Sequence, residues 1–216
     1  MSPTEPTSPA DGTSAADPAA PANVVLAMPL FPLNTVLFPD GLLPLRIFET
    51  RYVDMVGRCM RESCPFGVVP IRSAVEVGGV VEAAELGTTA RIVDFSKLPD
   101  GLLGITAKGE RKFRVLKLWQ QPDGLNVGDV EFLPTEVTLD LPGEYHHLSD
   151  LLRKVLPELG EPYASMPGNF ADASWVGARL AEILPVSAAD KVGLLELDEP
   201  LARLARLNQI VRRVPN

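Results

Sequence analysis

Side chains able to do chemistry are few in this sequence, and their spacing limits what they can do. The two histidines, His146 and His147, are neighbours. Adjacent side chains on a helix point about 100° apart, so this pair makes poor co-ligands for one metal. A helix-start or surface role suits them better. The two cysteines, Cys59 and Cys64, are too few for a disulfide scaffold, and no third cysteine can complete a metal knuckle. They read as reduced thiols at and just past a helix end, which suits a reducing cytosol. There is no Gly-Lys pair to build a nucleotide cradle, and G-x-S-x-G, H-E-x-x-H and S-x-x-K are absent. The expectation is no catalytic residue, no cofactor and no metal site.

Two polar groupings remain. Arg46 and Glu49 in "PLRIFETRY" close an apolar run just before a helix. They could face a pocket. They could equally be structural, with Glu49 favoured by the helix dipole and Arg46 paired to a carboxylate. The segment "AKGERKFRVLK" is the most basic stretch, with Lys108, Arg111, Lys112, Arg114 and Lys117 around Phe113. It reads either as an RNA-facing strand or as a solvated strand face paired with Glu110 and Asp94. The net charge of −8 favours the second reading.

Positioning these groups takes two kinds of element. Residues 1–22, rich in Pro, Ser, Thr and Ala, bury too little apolar surface to offset ordering entropy and are expected to form a disordered tail. From 23 to about 140, short Val, Leu, Ile and Phe runs are cut by Gly, Pro and Asp. The expected strands are "VVLAMPL", "NTVLF", "LLPLRIF", "FGVVPIR", "TTARIVDF", "LLGITAK", "KFRVLKLW" and "LNVGDVEFL". Many short strands without intervening helices suggest a barrel or sandwich. "PDG" recurs at 39–41, 99–101 and 122–124 without a fixed period. Pro presets φ, Asp supports the turn and Gly accepts positive φ, so each reads as a hairpin tip.

One helix interrupts the strands at 50–62. Thr50 is its expected N-cap, Tyr52, Val53, Val56, Cys59 and Met60 its apolar face, and Cys64-Pro65 its stop. From 141 to 216 the composition favours helices near 144–157, 170–184, 187–196 and 199–213. Ser187 and Asp190 form a capping box. Leu201, Leu204, Leu207, Val211 and Val214 recur at helical spacing as a core stripe. The fold class is therefore α+β, a β-rich lobe followed by a helical lobe. The apolar run Val24–Leu45 carries four prolines and reads as no membrane helix. The first basic residue is Arg46, so no secretory signal is expected.

The blocks "MPLFPLNTVLFPDGLLPLRIFETRYVDMVGRCM", "PFGVVPI", "LGTTARIVDF", "DGLLGITAKGERKFRV" and "WVGARLAEILPV…KVGLLELDEPLARL", in that order, resemble the N-terminal substrate-binding domain of Lon proteases. The likeness is strongest to bacterial proteins made of that domain alone, and runs from about Met28 to Val211. It implies a PUA-like β pseudo-barrel with a helical bundle, without the ATPase and peptidase modules of full-length Lon. It departs from the family at Lys112, where members often carry Arg before the Phe; Lys cannot form the planar fork.

The resemblance implies a non-enzymatic module that binds unfolded polypeptide or a partner protein; a cytoplasmic location follows from the cysteine usage, and a monomer or weak dimer is expected. Phe38, Leu43, Arg46, Phe48, Glu49 and Tyr52 are the expected peptide contacts. RNA binding through strand 108–117 is the alternative, since PUA-like folds also bind RNA.

Overall fold

The computed structural model describes residues 23–77 and 80–212. The expected tail at 1–22 and Val214 of the apolar stripe lie outside them. Strands β1 (Val24–Leu33) and β2 (Leu42–Ile47) precede helix α1 (Thr50–Glu62). Then come β3 (Phe66–Val77), β4 (Val80–Ala83), β5 (Leu86–Lys97), β6 (Leu103–Gln120) and β7 (Asn126–Phe132). The chain finishes in α2 (His146–Val155), α3 (Ala173–Ile183), α4 (Ala188–Glu196) and α5 (Pro200–Val211), with 3-10 turns on both sides of α2.

Antiparallel pairing runs β1-β7-β6-β5-β3, and β3 returns to β1 in parallel, so the circuit closes on itself. A parallel pair needs a crossover, which the segment through β2 and α1 supplies. β4 extends from β3. β2 lies outside the circuit, paired with the first half of β6, whose second half pairs with β7.

Two apolar clusters form within the β-rich lobe. One packs Tyr52, Met55, Val56 and Cys59 of α1 against Phe31, Ile47, Phe66 and Ile105. The other joins Met28, Leu30, Val69, Phe113 and Val130 across the strands. The helical lobe packs around α3, eight of whose eleven residues are buried, so that it must be surrounded by protein. Its cluster also takes in Val36, Phe38 and Leu86 of the β-rich lobe, so the two lobes share a core.

Several expectations change. Pro39-Asp40-Gly41 is no hairpin tip, because β1 and β2 do not pair; "NTVLF" is not a strand. Its backbone bonds sideways instead: the Asp40 amide donates to the Gly109 carbonyl at 2.9 Å, and the Gly109 amide donates to Gly41 at 2.9 Å. The positive φ falls on Asp40, at 61°. The other two PDG segments are hairpin tips, with Gly101 at φ 86° and Gly124 at φ 83°. "LLGITAK" and "KFRVLKLW" merge into β6, whose bulges against β5 and β7 keep one strand continuous through Gly109-Glu110.

β4 had no counterpart among the expected strands. On α1, Met55 is buried in place of Val53 and Met60, which are 40% and 38% exposed. The N-cap is Glu49, not Thr50, and its side chain does not cap. α3 begins at Ala173, where Asp172 accepts from the Ser174 amide, rather than at 170. Ser187 caps α4 as expected, accepting from the Asp190 amide at 3.1 Å; the Asp190 carboxylate takes the Ser187 hydroxyl at 2.6 Å. In α5, Leu204 and Leu207 are buried and Leu201 is exposed.

Candidate functional site

The six residues expected to contact a peptide do not gather around one cavity. Phe38 is fully buried in the core the lobes share. Tyr52 is buried and stacks on Phe31 with ring centroids 4.0 Å apart. Leu43 packs, half-buried, against the α1 core. Phe48 is 70% exposed. Arg46 pairs with Asp100 in the β5–β6 turn. Glu49 bonds Arg51 at 2.8 Å, and Arg51 donates onward to the Gly124 carbonyl at 2.7 Å. Arg46 and Glu49 thus brace β2 and the start of α1 against two hairpin turns, and each is at least partly exposed, so neither pair contributes much energy.

The largest concentration of charge lies where the lobes meet. Lys112 is 3% exposed. Its ammonium meets Glu136 at 2.9 Å, Asp198 at 2.7 Å and the Leu195 carbonyl at 3.2 Å. Three acceptors match its three donors, so an ammonium is satisfied without a planar fork. Glu136 also accepts from both terminal nitrogens of Arg203, at 2.8 and 2.5 Å, and from Ser174 at 2.6 Å. Arg203 is 1% exposed and donates a further bond to Leu194. Burial alone would raise the Glu136 pKa, but Arg203, Ser174 and Lys112 together bring it down to about 2. Strand alternation does put Lys112 opposite to inward-facing Phe113. It gives no sign that the helical lobe covers that outer face.

A second buried pair holds the "VLFPDG" segment. Glu182 accepts from the Phe38 amide at 2.9 Å, and Arg179 donates to the Pro39 carbonyl at 2.7 Å. The two side chains approach to 3.0 Å. A Cβ on Gly41 would fall 2.0 Å from the Glu182 carboxylate, so the close approach needs glycine. Burial pushes the Glu182 carboxyl up to about 7, against the pull of Arg179, the Phe38 amide and Lys191.

Next to these networks is a cleft of about 220 Å³, walled by Asp40, Lys112, Glu136, Ser174 and Trp175. Its carboxylates already bond cations or amides, so the arrangement helps hold the lobes together. Among the described residues, no group of three or more His, Cys, Asp or Glu is placed to hold a metal. His147 bonds Asn208 at 3.0 Å on the surface. Acids lie beside much of the basic strand: Lys108 pairs with Asp40, and Arg114 and Lys117 lie opposite Glu131 and Asp129, while the strand's own Glu110 pairs with Arg91 of β5. Arg111 lies over the Phe132 ring.

Exposed large apolar side chains are scattered over the protein, and two of them, Val93 and Phe95, lie two residues apart on β5. Residues 86–90 of this strand are buried, and 93–97 are exposed. Val93 is 52% exposed and Phe95 59%. β3 pairs with β5 only as far as Ala90, so among the described residues the far edge of 91–97 has no strand paired to it. Beside this edge, a groove of about 240 Å³ runs between β5 and the end of α1, lined by Cys59, Met60, Cys64, Ile92, Val93 and Phe95. A shallower depression of about 280 Å³ shares Asp94 and Phe95 with it and continues over Pro44, Arg46 and Leu98. The continuous run "TTARIVDF" gave no sign of where burial ends. That boundary is set by where β3 stops pairing.

A family model described as the ATP-dependent protease La (LON) substrate-binding domain matches residues 27–213. Lon protease 2 of Myxococcus xanthus is 26% identical over 86% of this chain and 23% of its own length. The Lon protease of Anaeromyxobacter dehalogenans is 28% identical over 88% of this chain and 24% of its own length. The chain therefore spans about a quarter of the length of these curated relatives. A solved Lon N-terminal domain protein from Xanthomonas campestris shares 36% identity at a TM-score of 0.69, covering 88% of this chain and all of the other. The N-terminal domain of a Mycobacterium avium complex Lon protease has the same fold, at 18% identity and a TM-score of 0.58 over 88% of this chain and all of the other.

Proposed function

Because the chain belongs to the family of the LON substrate-binding domain, we propose that it is a non-catalytic module that binds polypeptide in extended form along the open edge of β5. The carrying observation is the juxtaposition of that edge with exposed Val93, Phe95 and Met60. An extended peptide can add a strand there through its main chain and seat alternate side chains in the groove. Phe48 extends the surface: it follows Ile47, which lies in register with Leu103 and, through it, with Lys97.

The closed strand circuit supports a PUA-like pseudo-barrel, and the shared core supports a helical lobe that serves as its platform. In this reading the partner is an unfolded or partner polypeptide in the cytoplasm, presented to a protease or chaperone. Among the described residues no helix is long and apolar enough to cross a membrane.

The test is a titration of labelled, permanently unfolded polypeptide, read by fluorescence anisotropy. Saturable binding is expected, with Val93→Lys/Phe95→Lys weakening it at unchanged stability. Absence of saturation up to about millimolar, a free energy near −4 kcal/mol, sinks the proposal.

A further inference from the structure

We propose that Cys59 and Cys64 form a dithiol site that hydroperoxide oxidants convert to a disulfide across the end of α1. This inference is independent of the polypeptide-binding reading.

The geometry comes from the helix cap. Ser63 is left-handed at φ 52°, and its amide and that of Cys64 both donate to the Cys59 carbonyl, the latter at 3.1 Å. In such a cap the residue after the left-handed one folds back over the residue five before it, and an apolar contact commonly joins them. Here the two residues that this cap brings together are Cys59 and Cys64. Both line the same groove. The cap is held in place: Arg91 donates to the Ser63 carbonyl at 2.7 Å and is itself bound to Glu110 at 2.6 Å. On the other side Phe66 is fully buried.

The two thiols differ in access, which gives them different roles. Cys64 is partly exposed and Cys59 buried. Burial, then the neighbouring Cys64, push the Cys59 thiol up to about 12, so it stays protonated. Cys64 therefore meets the oxidant first. Its sulfur attacks one peroxide oxygen, the O–O bond breaks, and the products are a sulfenic acid and water, or an alcohol from an organic hydroperoxide. The Cys59 sulfur then attacks the sulfenic sulfur. The S–S bond forms, the S–O bond breaks, and the hydroxide leaves as water with the Cys59 proton. In sum, two thiols are oxidised and one peroxide is reduced.

The sequence makes the product easy to read. Tryptic cleavage after Arg58, Arg61 and Arg72 places the two cysteines in separate peptides, 59–61 and 62–72. The full chain is treated with hydrogen peroxide under native conditions, blocked with an alkylating reagent and mapped by mass spectrometry. The expected product is a monomer lacking the mass of two hydrogens, with the two peptides linked and released by dithiothreitol. Cys59→Ala, checked for folding by circular dichroism, is expected to leave Cys64 as a dimedone-reactive sulfenic acid. Sulfinic or sulfonic acid at Cys64 with Cys59 still alkylatable overturns the proposal, as does a linkage between two chains.

Discussion

Replacing Glu136 with Gln removes the anion that Lys112 and Arg203 share inside the protein. Both cations are almost fully buried, and the Glu136 side chain is itself only 10% exposed. Removing one member of a buried ion pair leaves uncompensated charge and costs about 3–5 kcal/mol. The titration gives a second route to the magnitude. A fall from the ordinary 4.5 to about 2 corresponds to about 3 kcal/mol of stability. The sign is that of a depressed carboxylate. The contribution is complete above pH 4.5 and disappears as the pH falls through about 2. At pH 3 roughly 2 kcal/mol of it is already lost.

Urea unfolding of the wild type and Glu136→Gln at pH 7 and pH 3 measures both quantities. The variant is expected to be about 3 kcal/mol less stable at pH 7, with the gap narrowing by about 2 kcal/mol at pH 3. A domain of ordinary stability has only about 5–15 kcal/mol in all, so the effect is large. Equal stability at pH 7, or a gap unchanged between the two pH values, refutes the reasoning.

Glu182 has the opposite sign, because its pKa is raised to about 7. Wild-type stability should fall as pH rises from 4.5 to about 7 through this group, and Glu182→Gln should flatten that slope in urea melts. Gly109→Ala places a Cβ 2.2 Å from the Phe38 carbonyl, which must shift, so the melting temperature should drop; Gly143→Ala, with open space around it, should leave it unchanged. Binding of single-stranded RNA at low salt should be undetectable by filter retention, since acids face or pair Lys108, Lys112, Arg114 and Lys117 of β6. A salt-sensitive retained complex would contradict that.

Local patterns revealed the element types better than the partners. The α1 boundaries at 50–62, the capping serine of α4 and two of three PDG turns were readable because their chemistry is local. The 39–41 turn misled because β2 pairs with β6 rather than with β1, which nothing local to the turn encodes. Val53 and Met60 matched helical spacing as well as Met55 does, and only the position of the strands decides which is covered. The polar residues singled out by type, Arg46 and Glu49, are surface braces. Glu136, which lies in an irregular segment with no periodicity, holds two buried cations. The open part of β5 was invisible in sequence because it depends on where another strand ends.

Lys112 and Phe113 are consecutive, point to opposite faces of β6, and are both buried. At that point the strand is a wall shared by two compartments: Phe113 fills the interior of the β-rich lobe, and Lys112 is tied to the helices. Neither compartment can open without disturbing that wall. Hydrogen exchange at these two amides should therefore require global unfolding, and denaturation should be one cooperative event read identically by tryptophan fluorescence and circular dichroism.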